Sequence, residues 1–246
     1  KIGKASYVPE KTLLEREKSR GREKICLQLG ICDDPENQRQ LCLEYEPGKQ
    51  GHLGVCGGPA TGKTALLHTI LWQLCTEYTP DEAVVLAVDI GQGSMGSFQA
   101  MPGCIGIWKR AEEREIFFYH LKRFVAERKE LLSGISAEQY NKMERDSLPY
   151  VLLVIDNFGA FFMALNEKQQ EFLLRLAAEG IHCGVYLILA SAAPGEIPGK
   201  LYEKIKTSLA LEMSDRFAYG DILRQYHIPV LPKENTKGRG LCQIDG

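Results

Sequence analysis

The stretch Gly57-Gly58-Pro59-Ala60-Thr61-Gly62-Lys63-Thr64 decides the fold of this chain. It matches G-x-x-x-x-G-K-[ST], the phosphate-binding loop or P-loop. Backbone N–H groups of such a loop surround a polyphosphate, and the helix that follows adds its positive N-terminal end. All eight residues are therefore candidates for nucleotide binding. Lys63 is predicted to reach the β- and γ-phosphates, and Thr64 to hold Mg²⁺ through its hydroxyl.

The sequence on both sides of the loop supports this interpretation. Residues 52–56 are typical of a short buried strand, and residues 65–74 have apolar side chains at helical spacing. Thr69, within that helix, is a further candidate for nucleotide binding. A strand, a glycine-rich loop and a helix in this order favour a phosphate site over a glycine-rich turn that happens to contain a lysine.

Strands and helices alternate along the rest of the chain. Continuous apolar runs predict buried strands at residues 83–89, 150–156 and 185–190, and a strand at 207–212 is predicted to lie at the edge of the sheet. This alternation predicts an α/β fold: a RecA-like P-loop NTPase domain with a mostly parallel central sheet flanked by helices.

Two of the predicted helices have clear internal signals. Asn166 begins a capping box, and Gly180 is expected to end that helix. A longer helix is predicted at residues 111–132, where one apolar stripe is expected to face the core. The stripe contains Ile116, Phe117, Leu121, Phe124, Val125, Leu131 and Leu132.

The domain boundary is predicted from charge. Residues 1–24 are rich in charged side chains and are interpreted as a linker or solvated arm, and residues 25–246 as the ATPase domain. The first residue is Lys1 rather than Met, so we expect a piece of a longer protein.

The composition is that of a soluble globular protein. Of the 246 residues 44% are hydrophobic and 25% charged, and no apolar run approaches the ~20 residues that span a bilayer. The formal net charge of −2 provides no overall positive field for nucleic acid. The eight cysteines form no C-x-x-C pair, which disfavours a metal site and favours free thiols in a reducing cytosol. Cys42 and Cys56, in apolar runs, are expected in the core.

The acidic partner of the P-loop is predicted at Asp156. This residue follows an apolar strand directly, where P-loop NTPases carry the carboxylate that holds Mg²⁺. The next residue, Asn157, is a candidate catalytic residue that can orient water but cannot accept a proton from it. The sequence therefore supports ATP binding strongly and rapid hydrolysis weakly.

With both motifs in place, the chain resembles the FtsK/SpoIIIE superfamily of ATPases. More closely, it resembles the C-terminal ATPase modules of the type VII secretion ATPases of the EssC/EccC family. The resemblance covers most of the chain and includes segments outside the P-loop: residues 30–38, Leu148-Pro149, Ser214-Asp215-Arg216 and Lys237-Gly238-Arg239-Gly240-Leu241.

Two departures from the family pattern concern hydrolysis. The acidic pair of active members is Asp156-Asn157 here, and the A-T-Q segment that senses the γ-phosphate reads Ala190-Ser191-Ala192. The resemblance therefore implies a degenerate, regulatory module, which we expect to be the last of several in tandem. Arg216 is a possible sensor or trans-acting arginine, and a surface ion pair is an equal alternative.

The resemblance implies further properties of the parent protein. It would lie in the bacterial cytoplasmic membrane with its ATPase modules inside the cell, bind ATP and Mg²⁺, and assemble as a hexamer. Its substrates would be small WXG-type secreted proteins. Three alternatives stay open: an active hexameric motor, an FtsK-like DNA translocase, against which the near-neutral charge argues, and a vestigial P-loop kept as a docking platform.

Overall fold

A computed structural model describes residues 24–34, 37–89, 93–143, 147–225, 227–228, 231–232 and 236–243. They form a mostly parallel sheet of seven strands with helices on both faces, and a separate antiparallel hairpin. The predicted α/β class with a mostly parallel sheet is therefore confirmed. Residues 1–23 lie outside the described residues, so the arm assigned to 1–24 stays a prediction.

The described residues contain nine strands and eight α-helices, numbered here in chain order. The strands are β1 (Leu27–Asp34), β2 (Arg39–Tyr45), β3 (His52–Cys56), β4 (Ala83–Val88), β5 (Cys104–Trp108), β6 (Tyr150–Ile155), β7 (Val185–Ser191), β8 (Ile205–Leu211) and β9 (Gly240–Gln243). The helices are α1 (Pro47–Gln50), α2 (Lys63–Glu77), α3 (Arg114–Leu132), α4 (Ala137–Met143), α5 (Phe158–Met163), α6 (Glu167–Glu179), α7 (Gly199–Tyr202) and α8 (Arg216–Leu223).

The order of the main sheet is β5-β4-β6-β7-β3-β8-β9, and β9 alone is antiparallel to its neighbour. Strand β7 therefore lies between β3, which leads into the phosphate loop, and β6, which leads into Asp156. The carboxyl ends of these three parallel strands meet at one edge of the sheet. Ligands of open α/β sheets bind at this edge, so the topology brings the predicted site residues together.

The core consists of two apolar layers, one on each face of the sheet. Successive residues of β6 point to opposite faces: Leu153 and Ile155 pack on the side of α3 and α6, and Leu152 and Val154 pack on the side of α2. All four side chains are fully buried. Burial on both faces explains why β6 is a continuous apolar run rather than an alternating one.

The predicted capping box is confirmed. The Asn166 side chain accepts a hydrogen bond from the Gln169 backbone N–H at 2.9 Å, and the Gln169 side chain accepts one from the Asn166 backbone N–H at 3.1 Å. Gly180 is the C-cap of α6, as expected. Among the described residues, no helix combines the length and apolar character that a membrane span requires.

The predictions for β8 and for part of the α3 stripe were wrong. Strand β8 is not at the edge, because β9 returns from the end of the chain and pairs with its outer side. In α3, Ile116 and Leu131 are 63% and 51% exposed, while Phe118 is buried. The buried face runs through Phe117, Phe118, Leu121, Val125 and Leu132, and the two exposed residues fall just beside it.

Several elements were not predicted. Strands β5 and β9 and helices α4 and α5 are too short for their apolar residues to show a period. Of the two cysteines expected in the core, Cys56 is buried and Cys42 is exposed, because Cys42 lies on the hairpin of β1 and β2 rather than in the main sheet.

Candidate functional site

The phosphate loop connects β3 to α2, and two of its glycines are required by close approach. A Cβ atom on Gly57 would lie 2.7 Å from Thr61 Oγ1 and 2.8 Å from Leu211 Cβ. Gly62 has a φ of +115°, which side-chain-bearing residues rarely adopt. A Cβ atom there would also lie 3.2 Å from the backbone nitrogen of Gly238. The glycine-rich sequence is therefore a steric requirement of this loop.

Backbone hydrogen bonds hold the start of the loop to the neighbouring strands. The Gly57 N–H donates to the carbonyl of Ser191 at the end of β7, at 3.2 Å. The Gly58 N–H donates to the carbonyl of Glu212, just after β8, at 2.8 Å. These bonds fix the direction in which the loop leaves the sheet.

The C-terminal segment contacts the other end of the loop. The Gly238 N–H donates to the Thr61 carbonyl at 2.8 Å, and the Thr61 hydroxyl donates to the Gly58 carbonyl at 2.9 Å. Gly238 belongs to the Lys-Gly-Arg-Gly-Leu segment that the resemblance singled out. This segment therefore helps to shape the phosphate loop.

The two predicted Mg²⁺ ligands are in direct contact. Thr64 is in the first turn of α2 and Asp156 follows β6, and the Thr64 hydroxyl donates to Asp156 Oδ2 at 2.8 Å. The Lys63 ammonium lies beside them and donates to the carbonyls of Gly57 at 2.6 Å and Gly58 at 2.8 Å. A hydroxyl and a carboxylate at this separation are the hard oxygen donors that Mg²⁺ prefers, so these residues fit the ion.

Burial and charge act in opposite directions on Lys63. Burial lowers the pKa of its ammonium, and the nearby carboxylates of Asp156 and Glu196 partly offset this by raising it. Lys63 is therefore a cation close to two carboxylates in a partly desolvated site. The negative charges of these carboxylates would weaken the attraction between Lys63 and an added phosphate.

Asn157 has an unusual backbone conformation. Its φ of +53° and ψ of +55° are left-handed, a region that Asn tolerates better than most residues. Its N–H donates to Asp156 Oδ1 at 2.9 Å, so both carboxylate oxygens of Asp156 accept a hydrogen bond. The Asn157 residue is exposed and follows the strand at the same edge as the phosphate loop.

The other predicted residues lie further from this centre. Thr69 is exposed on α2, and its hydroxyl donates to the Ala65 carbonyl one turn earlier at 3.1 Å. Arg216 is exposed at the start of α8 and lines a surface groove with Phe217 and Arg224. The structure thus brings together residues 57–64, Asp156 and Asn157, and sets Thr69 and Arg216 apart from their hydrogen-bonded cluster.

One acidic residue of the site was missed from the sequence. Glu196 ends a short 3₁₀ turn after β7, and its Oε2 accepts hydrogen bonds from the Ser191 hydroxyl at 2.5 Å and the Ala192 N–H at 3.0 Å. The only signal in the sequence is its position in the loop after a buried strand, which does not distinguish it from a solvated loop residue. At the position of the missing glutamine, Ala192 is exposed and contributes its backbone N–H to this carboxylate.

Two named relatives cover most of this chain. The type VII secretion system protein EssC of Staphylococcus aureus strain MRSA252 is 29% identical over 229 residues, which are 91% of this chain and 15% of that protein. The ESX secretion system protein YukB of Bacillus subtilis strain 168 is 27% identical over 226 residues, 90% of this chain and 15% of that protein. The chain thus spans about a sixth of the length of these relatives.

Solved structures share the fold. EssC (ATPases 2 and 3) from Geobacillus thermodenitrificans matches with a TM-score of 0.80 at 21% identity, covering 89% of this chain and 42% of that one. Thermomonospora curvata EccC (ATPases 2 and 3), in complex with a signal sequence peptide, matches with a TM-score of 0.78 at 24% identity, covering 92% and 43%. At these identities the match supports the ATPase fold alone.

A family model covers the part of the site that contains the phosphate loop. The model of the FtsK/SpoIIIE family matches residues 14–146, more than half of the 246-residue chain, including the entire phosphate loop. With its phosphate loop joined to Asp156 across the carboxyl edge of a mostly parallel sheet, the chain belongs to the FtsK/SpoIIIE family.

Proposed function

We propose that this chain is an ATP-binding module of a type VII secretion ATPase, which binds MgATP and hydrolyses it slowly or not at all. One observation carries the nucleotide assignment: the 2.8 Å hydrogen bond between Thr64 Oγ1 and Asp156 Oδ2, beside Lys63. Thr64 and Lys63 begin the helix after β3, and Asp156 directly follows β6, so the residues meet at the edge where nucleotides bind in such sheets.

Each part of the site has a role in binding. The N–H groups of Lys63 and Thr64 are in the first turn of α2, where a helix leaves donors without intrahelical partners, and they would meet phosphate oxygens. The Lys63 ammonium would turn from the loop carbonyls to the β- and γ-phosphates. Thr64 and Asp156 would hold Mg²⁺, which offsets phosphate charge when bound.

The secretion assignment rests on the named relatives. EssC and YukB are secretion proteins by name. About nine-tenths of this chain aligns with 15% of each relative. We infer that the parent contains other ATPase modules, lies in the bacterial cytoplasmic membrane with this module inside the cell, and assembles as a hexamer. We further infer that its substrates are small WXG-type secreted proteins; the EccC neighbour was solved in complex with a signal sequence peptide.

Slow turnover follows from two side chains. Asn157 cannot accept a proton from the attacking water, and Ala192 has no side-chain amide to contact the γ-phosphate. A module that holds ATP without consuming it quickly is suited to a regulatory role in substrate recognition and export.

Calorimetric titration of MgATP into the purified chain tests binding. We expect a saturating isotherm, with no heat that continues after each injection. Lys63→Ala should weaken binding by about 10- to 100-fold, because charge-assisted hydrogen bonds contribute about 1.5–3 kcal/mol. Lys204→Ala, at an exposed position after α7, is the matched control and should bind like the unmodified chain. Absence of binding heat in the unmodified chain would refute the nucleotide assignment.

Two further outcomes would favour other functions. Steady heat after each injection, growing when the full-length parent assembles, would favour an active motor. Retention of DNA on a filter, decreasing steeply with salt, would favour a DNA translocase. For the secretion role, Lys63→Ala in the full-length parent should reduce export of its small secreted substrates, and unchanged export would contradict it.

A further inference from the structure

The loop after β7 brings a second carboxylate to the nucleotide site. Glu196 is held through Oε2 by the Ser191 hydroxyl at 2.5 Å and the Ala192 N–H at 3.0 Å. Ser191 ends β7 and Ala192 follows it, and β7 lies between the strand of the phosphate loop and the strand that leads into Asp156. The carboxylate is therefore anchored at the centre of the binding edge.

Two observations locate this carboxylate between the phosphate loop and the turn after Asp156. A Cβ atom on Gly159 would lie 2.8 Å from Glu196 Oε2, and Gly159 is two residues after Asn157. On the other side, Ser191 joins Glu196 to the phosphate loop, because the Ser191 carbonyl accepts a hydrogen bond from the Gly57 N–H at 3.2 Å. Glu196 is thus held between the phosphate loop and the turn after Asp156.

Hydrolysis in this site needs a proton acceptor for water, and neither Asn157 nor Asp156 is suited to that role. The Asn157 amide cannot accept a proton. Asp156 is assigned to Mg²⁺, and its two oxygens accept hydrogen bonds from Thr64 and from the Asn157 N–H. In Glu196 both donors are on Oε2, and no donor from the described part of the chain occupies Oε1. Oε1 is therefore available to a water molecule.

We propose that Glu196 accepts the proton of the attacking water and supports the slow ATP hydrolysis of this module. This inference rests on the proposed function. In the step, the water oxygen forms a bond to the γ-phosphorus while the bond from that phosphorus to the bridging oxygen of ADP breaks. The proton of the water passes to the Glu196 carboxylate and from there to solvent, and the products are ADP and inorganic phosphate.

A single-turnover assay with Glu196→Gln tests the proposal. The glutamine keeps an oxygen that can accept from Ser191 and Ala192, but it cannot take a proton. With protein in excess over labelled ATP, we expect the rate constant for phosphate formation to fall about tenfold or more, within the lower range for general base catalysis. The dissociation constant for MgATP should change by no more than about threefold, because no phosphate contact is removed.

Two comparison variants make the result specific. Glu203→Gln, at an exposed position after α7, should hydrolyse ATP at the unmodified rate. Ser191→Ala removes one anchor of the carboxylate and should slow hydrolysis less than Glu196→Gln does, which provides a second test if the glutamine variant folds poorly.

Each other outcome overturns a defined claim. Equal rates of phosphate formation in Glu196→Gln and the unmodified chain would overturn the role of Glu196. A weaker affinity for MgATP that explains the entire decrease in rate would overturn it as well. Saturable MgATP binding without any phosphate formation above the buffer rate would also overturn it and leave the proposed nucleotide-binding function intact. Absence of MgATP binding would overturn the proposed function itself.

Discussion

Mild acid should destabilise this protein through one buried side chain, His52. It is fully buried at the first position of β3, and β3 is the strand that leads into the phosphate loop. Its Nδ1 accepts a hydrogen bond from the Leu187 N–H at 3.0 Å, and its Nε2 is 2.9 Å from the Ala177 carbonyl, to which it donates. Protonation would put an N–H opposite the N–H of Leu187. Burial lowers the pKa of His52 to about 4, although the Ala177 bond raises it slightly.

The size and sign follow from the two states. His52 has an ordinary pKa of 6.5 when unfolded and about 4 when folded. Between these values the unfolded chain binds more protons, so the free energy of unfolding is highest above pH 6.5 and decreases as the pH falls towards 4. One pKa unit corresponds to about 1.4 kcal/mol, so the loss between pH 7 and pH 5 is about 2 kcal/mol.

Urea unfolding at pH 7 and pH 5 measures this loss. His52→Gln should be less stable than the unmodified chain at pH 7, because it disturbs a buried pair of hydrogen bonds, but it should lose about 2 kcal/mol less on acidification. His120→Gln, at an exposed position on α3, should keep the full pH dependence. An equal loss of stability in the unmodified chain and His52→Gln would refute the reasoning.

Three further predictions concern the site. Gly62→Ala strains the backbone at φ +115° by about 1–3 kcal/mol. We expect either a lower thermal stability or an affinity for MgATP that is about 10- to 100-fold weaker, measured by thermal unfolding and by titration. Gly195→Ala, where no atom lies within 4 Å of the added Cβ, should show neither loss. Two normal measurements for Gly62→Ala would contradict this. Asp156→Asn should reduce the gain in ATP affinity that Mg²⁺ provides, measured by titration with and without the ion; an undiminished gain would show that Asp156 is not a ligand. Asn157→Glu alone should leave steady-state phosphate release low, because Ala192 still has no side-chain amide and the φ of +53° suits Glu less than Asn. A tenfold gain in phosphate release would contradict this prediction.

The centre of the site could be predicted because its signals are local. The phosphate loop is a linear motif, and Asp156 follows an unmistakably buried strand, so both were identified from residue type and position alone. Their contact through Thr64 requires only that the two parallel strands end at the same edge. The α/β class followed from the alternation of apolar runs with helical patterns.

The rest depends on tertiary contacts that no local pattern encodes. Glu196 enters the site because a short turn folds its carboxylate back onto β7, and an acidic residue after a proline and a glycine otherwise looks like a solvated loop. The interior position of β8 depends on β9, a strand of only four residues that returns from the end of the chain. In α3, the exposure of Ile116 depends on which face the sheet covers.

The contacts of the phosphate loop have a consequence for synthesis on the ribosome. The loop is made early, but its backbone partners Ser191, Glu212 and Gly238 are translated much later. Chains emerge at roughly 5–20 residues per second, so roughly 10–35 seconds separate the synthesis of Thr61 from that of Gly238. We therefore expect the nascent chain to acquire its native affinity for ATP only near the end of translation of this domain, which makes nucleotide binding a signal that the domain is complete.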